Sequence, residues 1–378
     1  MSSGTMERIL RLMAEKKASD VYLTAHAPAM IKINGQVIPI NSQVLPPDAP
    51  RNLLAEIVPP TRIEELVETG ELNMGVPLEG LGNFRVSALR QRGYVPSDIP
   101  PLDTLNVAPI LGDLIMDKRG LILMVGATGA GKSTTLAAMI DHRNERVSGH
   151  ILTVEDPIEY TYRNKRSVIN QREIGPDTAS LQTALKNALR QAPDVILIGE
   201  IRDRETMSAA LAYAQSGHLV LATLHANNSY QALNRILSFY PVEVRPTMLG
   251  DLSAALRAIV SQRLLRTPAG SRVPAMEVLL NTALISDLIQ KADFSGVRDA
   301  MEKSLAEGSQ TFEQDLARLI HEGLVSREEG LANADSPNNL LWRLQNDFQP
   351  STAPGMDGHE EEATDAPSFT EFTLDVKF

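Results

Sequence analysis

A glycine-rich segment carries the spacing G-x-x-x-x-G-K-[ST] between the apolar run 121–125 and a helical pattern over 134–140. In that context the glycines let backbone N–H groups turn toward phosphate oxygens, and the helix N-terminus adds the positive end of its dipole. We expect Lys132 to contact the β- and γ-phosphates of a nucleotide and Ser133 to bind Mg²⁺. A chance glycine-rich turn is the alternative, and the match at every fixed position argues against it. The predicted phosphate-binding residues are Gly126, Ala127, Thr128, Gly129, Ala130, Gly131, Lys132, Ser133 and Thr134.

Two further apolar runs end in acidic residues. The run 195–198 leads into Glu200, and the run 151–154 leads into Glu155. The carboxyl ends of parallel strands line the ligand crevice of an open α/β sheet, so both acids are expected beside the phosphate loop. We expect Glu200 to hold Mg²⁺ or its water and Glu155 to polarise the attacking water, although proximity alone leaves the two roles exchangeable. An exposed strand-end acid and an ordinary Glu-Asp-Pro turn are the alternatives.

Histidines and arginines supply the remaining candidate groups. His218 and His225 flank the apolar run 219–223, a spacing that suits a metal pair poorly. We therefore expect His225, at the C-terminal end, to sense the γ-phosphate, and His218 to be structural or to lie at a subunit boundary. Arg85 and Arg90 bracket the end of a strand-like segment. They are either solvated surface charges or arginine fingers that reach a neighbouring subunit's phosphates.

The segments that must position these groups alternate apolar runs with helical patterns through residues 111–280. The four runs named above are short and apolar on both faces, which is typical of parallel strands covered by helices. Apolar residues between Leu181 and Leu189 recur at helical spacing. The sequence therefore predicts a doubly wound α/β domain.

The rest of the chain divides around this domain. Residues 1–93 read as a small mixed α/β unit with a hairpin turn at Asn34-Gly35, and the prolines in 94–110 predict a stiff linker. Residues 281–345 show helical patterns that extend this domain to 111–345. The acidic segment 346–378 lacks periodicity, and we predict that it is disordered.

The composition excludes several classes of protein. Of 378 residues, 43% are hydrophobic and 22% charged, which is an ordinary globular balance for two or three domains. The chain has no cysteine, which excludes disulfide scaffolds, cysteine nucleophiles and cysteine-ligated metals. A net charge of −11 does not favour binding to nucleic acid. Neither a signal peptide nor a membrane-length apolar run is visible, so we expect a soluble cytoplasmic protein without a membrane span.

Together these residues resemble the PilT/VirB11-type secretion ATPases, and among them the type IV pilus retraction motors. The resemblance implies a RecA-like P-loop domain preceded by a PAS-like α/β domain and followed by C-terminal helices. The segments that carry it are 18–24 and 30–35 (PAS-like domain), 126–133 (Walker A), 154–159 (Asp box), 198–203 (Walker B), 218–225 (His box), 262–264 and 277–281. Segment 282–288 lacks the C-terminal motif of the PilT branch, whereas 310–314 and 334–340 resemble the PilU branch. The chain departs from the family at Gly199, where many relatives have Asp, and after Gly93, where a strand bearing an arginine pair usually follows.

The resemblance also implies a function. It implies a homohexamer that hydrolyses ATP with Mg²⁺, rotates its first domain against the motor domain and powers pilus retraction. Its partners would be a PilT-like ATPase and a PilC-like inner-membrane platform protein, at the inner face of the cytoplasmic membrane. The alternative is a weakly hydrolysing nucleotide-binding module that regulates a partner motor, although Lys132, Ser133, Glu155 and Glu200 argue against an inactive site. A DNA-translocating motor is disfavoured by the acidic charge.

Overall fold

The computed structural model describes residues 4–78, 81–89, 98–303 and 306–347. The strands are β1 (Asp20–Tyr22), β2 (Pro28–Ile33), β3 (Gln36–Val44), β4 (Glu71–Leu78), β5 (Gly82–Leu89), β6 (Gly120–Val125), β7 (His150–Glu155), β8 (Val168–Glu173), β9 (Val195–Ile198), β10 (Leu219–Leu224), β11 (Leu256–Arg266) and β12 (Arg272–Leu280). The α-helices are α1 (Thr5–Glu15), α2 (Ala49–Ala55), α3 (Pro60–Thr69), α4 (Ile110–Leu114), α5 (Lys132–Arg146), α6 (Leu181–Ala188), α7 (Arg204–Gln215), α8 (Ser229–Ser238), α9 (Arg245–Ala255), α10 (Ala283–Gln290), α11 (Phe294–Glu302), α12 (Phe312–His321), α13 (Arg327–Ala332) and α14 (Pro337–Asn346). Short 3₁₀ helices cover Leu102–Thr104, Leu189–Gln191 and Val242–Val244.

A seven-stranded sheet forms the centre of the described structure, in the order β12-β11-β6-β10-β9-β7-β8. Every neighbouring pair is parallel except β11 with β12, which pair antiparallel at one edge. All residues of β6 are buried, and they alternate between two hydrophobic cores: Leu121 and Leu123 belong to one, Ile122 and Met124 to the other. This alternation shows that apolar layers cover both faces of the sheet. The predicted doubly wound α/β architecture is confirmed, and the four predicted strands correspond to β6, β7, β9 and β10.

Residues 4–78 and 81–89 form the predicted mixed α/β unit. Strands β1, β2 and β3 make an antiparallel sheet, and β4 pairs antiparallel with β5. The predicted hairpin turn is present, since Asn34 and Gly35 have φ of 52° and 80° between β2 and β3. Both residues of such a turn need positive φ, which Asn and Gly tolerate.

This first unit packs against the edge strand β8 of the central sheet. Tyr22, Met30 and Val37 form a small apolar cluster with Val168, the first residue of β8. Farther along the same strand, the wholly buried Arg172 forms an ion pair with Glu71 at 2.8 Å. The packing covers an edge that would otherwise expose unpaired backbone groups.

The region of the predicted linker is described from Asp98 onward. It contains the 3₁₀ helix Leu102–Thr104, and Leu102 and Ala108 are buried in one of the two cores that flank the central sheet. This part is therefore attached to the central α/β domain and includes a short element that the proline pattern did not predict. Residues 94–97, like Arg90 before them, lie outside the described residues, so the domain boundary stays a prediction.

Helices α10–α14 confirm the helical pattern predicted beyond residue 281. Phe312 and Leu316 of α12 pack on Leu265 and Val273 of the β11–β12 hairpin, which fixes these helices to the antiparallel edge of the sheet. Among the described helices, none is both long and apolar enough to cross a bilayer. The predicted disordered tail 346–378 starts too early, because α14 continues to Asn346, and residues 348–378 lie outside the described residues.

Candidate nucleotide site

The glycine-rich loop joins β6 to α5, which begins at Lys132, two residues earlier than the predicted helix. Gly126 and Gly131 have φ of 152° and 83°, a region in which side chains are strained. A Cβ atom at Gly126 would lie 2.5 Å from the Gln262 carbonyl oxygen, and one at Gly131 would lie 2.8 Å from the Gln262 amide nitrogen. Both glycines are therefore required for the loop to pass this close to β11.

Gln262 of β11 hydrogen-bonds to the phosphate loop and to the first turn of α5. Its Nε2 donates to the Ala130 carbonyl at 2.8 Å, and its Oε1 accepts from the Thr135 hydroxyl at 2.8 Å. The side chain is buried, so both polar ends are satisfied inside the protein. In the sequence, Gln262 belongs to a segment that resembles the family, but the pattern assigns it no role. Its two hydrogen bonds show that it holds the phosphate loop and the start of α5 against β11.

The Lys132 ammonium lies over the loop that it follows. Its Nζ donates to the carbonyl oxygens of Gly126 at 2.7 Å and Ala127 at 3.0 Å. Burial lowers the pKa of Lys132, and the negative charges of Glu200 and Glu159 oppose that change. The loop lysine and the acid that ends β9 therefore lie within electrostatic reach of each other, as the strand order predicts.

Glu200 and His225 meet at the ends of the neighbouring strands β9 and β10. His225 Nε2 lies 3.3 Å from Glu200 Oε1, and Arg202 Nε donates to Glu200 Oε2 at 2.7 Å. Arg202 also lies 3.5 Å from Asp156. The structure thus places His225 beside Glu200, and Arg202 is a site residue that the sequence interpretation did not single out.

Glu155 ends β7, the next strand along. Its Oε1 accepts from the Thr153 hydroxyl at 2.6 Å and from Gln171 Nε2 at 3.3 Å. Burial raises the pKa of Glu155 to about 7, the nearby Glu159 and Glu173 charges add to the increase, and the two hydrogen bonds oppose it. A carboxyl group with this pKa is suited to exchange a proton near neutral pH.

Gly199, the residue before Glu200, packs closely against the neighbouring strand β7. A Cβ atom on Gly199 would lie 3.1 Å from the Val154 carbonyl oxygen and 3.2 Å from the Glu155 Cα. A larger residue would therefore push against the backbone that carries Glu155. In this chain, Asp at this position would require the backbone at Val154 and Glu155 to move by a few tenths of an ångström.

Two candidate residues, His218 and Arg85, stand apart from this site. His218 lies at the opposite end of β10, where its Nδ1 is 3.2 Å from the Tyr213 carbonyl oxygen, in keeping with a structural role. Arg85 is exposed on β5 as predicted, and no hydrogen bond or ion pair between described residues joins it to the phosphate loop. Arg90 lies outside the described residues.

Comparisons with known proteins decide the family. A family model described as "Type II/IV secretion system protein" matches residues 104–332. The chain belongs to this family. It is 46% identical over 347 residues to the protein named type IV pilus ATPase PilU of Pseudomonas aeruginosa, covering 90% of this chain and 91% of that protein. It is 36% identical to that organism's type IV pilus retraction ATPase PilT, covering 88% of this chain and 98% of PilT.

Solved structures of related ATPases support the same family assignment. A crystal structure of the pilus retraction motor PilT with bound ADP has a TM-score of 0.61 and 37% identity, covering 89% of this chain and 98% of that one. The ATPase DotB of Legionella pneumophila has a TM-score of 0.58 and 27% identity, covering 87% and 95%. The chain is thus a PilT/VirB11-type ATPase related to the motors of type IV pilus retraction.

The side chains of this secretion ATPase fit a magnesium ion that is held chiefly by the substrate. Mg²⁺ in nucleotide sites takes one or two protein oxygens and completes its shell with phosphates and water. Ser133, next to the loop lysine at the start of α5, provides a hydroxyl, and Glu200, just after β9 and within electrostatic reach of Lys132, provides a carboxylate. Within the described residues no group of three or more acids and histidines could hold a metal without such help.

Proposed function

We propose that this chain hydrolyses ATP with Mg²⁺ in a homohexameric motor that powers type IV pilus retraction. The observation that carries the proposal is the meeting of three elements at the carboxyl ends of β6, β10, β9 and β7. These are the phosphate loop, the Glu200–His225 pair and Glu155. Four adjacent parallel strands deliver binding, metal-holding and proton-accepting groups to one crevice.

Each group has a distinct role in phosphoryl transfer. Lys132 and the loop amides bind the β- and γ-phosphates. Ser133 and Glu200 would hold Mg²⁺, which would supply positive charge next to the phosphates. Glu155 accepts a proton from the attacking water. His225, beside Glu200, contacts the γ-phosphoryl. No covalent intermediate is needed, because the protein positions an in-line water and stabilises charge.

The partners follow from the relatives. The proteins named PilU and PilT of Pseudomonas aeruginosa match nearly the whole chain, which supports a motor that works together with a PilT-like ATPase. We propose that the hexamer acts on a PilC-like platform protein at the inner face of the cytoplasmic membrane.

A steady-state ATPase assay of the purified chain tests the proposal directly. We expect Mg²⁺-dependent turnover by the chain alone, and turnover of a mixture with a PilT-like ATPase that exceeds the sum of the two proteins measured separately. Nucleotide binding without turnover by the chain alone, in a mixture that is no faster than the PilT-like ATPase by itself, would favour the regulatory module instead.

Turnover is expected to depend on pH through Glu155. The base must be ionised to accept a proton, and burial raises its pKa to about 7. The kcat should therefore fall about tenfold per pH unit below about pH 6.5 and level off above about pH 8. Glu159→Gln should move the midpoint to lower pH, because the Glu159 charge contributes to the raised pKa. A profile that is flat between these values would contradict a base role for Glu155.

Arg85 and Arg90 are proposed to act on the nucleotide of a neighbouring subunit. A planar guanidinium suits the oxygens of a γ-phosphoryl, and such fingers contribute about 10³–10⁵-fold in rate. We expect an Arg85→Ala/Arg90→Ala chain and a Lys132→Ala chain to be inactive alone and to recover part of the activity when mixed. Mixed rings contain interfaces that pair an intact loop with intact arginines. Active arginine variants, or mixed rings that assemble without turnover, would count against this role.

A further inference from the structure

A polar cluster outside the nucleotide crevice joins the loop after β10 to the C-terminal helices. We call it the Arg263 cluster, and it consists of Arg263 on β11, Asp335 between α13 and α14, and Asn228 at the N-cap of α8. Asn228 Nδ2 donates to Asp335 Oδ2 at 2.8 Å, and Arg263 Nη2 donates to Asp335 Oδ1. The same Arg263 nitrogen donates to the Asn227 carbonyl oxygen at 3.2 Å.

The Arg263 side chain is held in one orientation. Its guanidinium lies 3.9 Å from the centre of the Phe312 ring, and its Nη1 donates to the carbonyl oxygen of Asn333. Stacking on a ring face and a fork of directed hydrogen bonds restrict a guanidinium much more than a single ion pair would. Arg263 therefore connects α12, the segment after α13 and the loop after β10 through fixed contacts.

The loop that this cluster holds is the one that carries His225. Only Ala226 and Asn227 separate His225 from Asn228, and Ser229 donates both its backbone N–H and its hydroxyl to the buried Glu277 carboxylate, at 2.7 and 2.6 Å. On its other side, His225 lies 3.3 Å from Glu200. Asp335 is therefore joined to the loop that bears His225, directly through Asn228 and by way of Arg263 through Asn227.

Strand β11 makes the same connection to the phosphate loop. Gln262, adjacent to Arg263 in sequence, holds Ala130 and Thr135. Two successive residues of one strand therefore fix the loop that binds phosphate and the loop that bears His225.

We propose that Arg263 and Asp335 are positioning residues for ATP hydrolysis, which set the placement of His225 and make it depend on the position of helices α13 and α14. The proposal rests on the proposed function, because it assigns these residues to the same hydrolytic site. Neither side chain needs to touch nucleotide. Both act through the loop 225–228.

The first test compares Asp335→Ala with a matched control. Asp335→Ala should lower kcat about 10-fold with less than about a 2-fold change in KM for ATP, because misplacing a reacting group by ~1 Å costs up to ~10²-fold. Asp335→Asn retains an oxygen that can accept from Arg263 but loses one acceptor, so its kcat should be intermediate. Asp347→Ala is the control, since it breaks the 3.0 Å pair with Arg343 on α14 without touching the loop. Its kcat should equal that of the wild type.

The second test separates positioning from a general loss of structure. In a His225→Ala background, Asp335→Ala should lower kcat by less than about 2-fold, because residues that act through one another are not additive. Thermal unfolding and ring assembly are measured in parallel, and Asp335→Asn replaces Asp335→Ala if the latter does not fold. Wild-type kcat in the Asp335 variants, or losses that multiply fully in the double variant, would overturn the inference alone. A wild-type chain without ATP turnover would overturn the proposed function and this inference together.

Discussion

Replacing Lys132 by Ala is expected to reduce ATP turnover by at least about 10²-fold while the fold survives. The ammonium donates to the phosphate loop itself, and removing a single donor from a developing negative charge costs about 10²–10³-fold in kcat. The truncation also removes two hydrogen bonds to the carbonyl oxygens of Gly126 and Ala127. Steady-state turnover at saturating ATP and Mg²⁺ is the measurement, with thermal unfolding to verify folding.

Two companion variants separate charge from geometry at this position. Lys132→Arg keeps the charge but replaces a point donor by a planar fork, so it should also be strongly impaired. Lys118→Ala removes an exposed lysine of the same domain and should leave turnover unchanged. Turnover at the wild-type rate in Lys132→Ala would remove the phosphate-loop assignment.

The second large effect is expected at Glu155. Glu155→Gln preserves the size of the side chain and an oxygen that can accept from Thr153 and Gln171, but it cannot take a proton from water. Turnover should fall by at least about 10²-fold, while ATP remains bound. The residual rate should also lose the pH dependence near 7. Rapid filtration with labelled ATP measures retention beside the turnover assay.

Glu200→Gln provides the matched comparison, because it alters an acid of the same crevice with a different proposed role. The loss of turnover in Glu200→Gln should be relieved in part by raising the Mg²⁺ concentration, whereas the loss in Glu155→Gln should not be relieved. If Mg²⁺ relieves the Glu155 variant instead, the two roles are exchanged. Unchanged turnover in Glu155→Gln would reduce the Asp box to a structural turn.

The sequence predicts the centre of this fold better than its edges. Strands β6, β7, β9 and β10 are recognisable because parallel strands buried on both faces are continuous apolar runs. Strand β8 is less regular, since it lies at the sheet edge and carries Arg172 toward the first domain. The apolar pattern of β11 is interrupted by Gln262 and Arg263, whose side chains hydrogen-bond to the phosphate loop and to the loop after β10. A strand whose polar residues bind other elements lacks a continuous apolar run, and its sequence pattern therefore does not predict it.

In the candidate site too, some features could be predicted from the sequence and others could not. Motif spacing places Lys132, Glu155, Glu200 and His225 correctly at the carboxyl ends of neighbouring strands, because that edge is a consequence of parallel topology. The contacts of Gln262 come from elements more than 120 residues away in sequence, and no spacing rule reaches them. The raised pKa of Glu155 likewise depends on burial, which exists only once the sheet is assembled.

The buried pair between Glu71 and Arg172 bears on how the two domains can separate and rejoin. Glu71 also accepts from the Thr178 hydroxyl at 3.1 Å and from Asn187, so four polar groups must meet in one arrangement. A buried ion pair contributes little net free energy, because the water it lost offsets the attraction it gained. Opening this joint returns both charges to water at small cost, while closing it in any other register would bury a charge without its partner. The contact therefore favours one arrangement of the two parts of the chain while adding little to the free energy that holds them together.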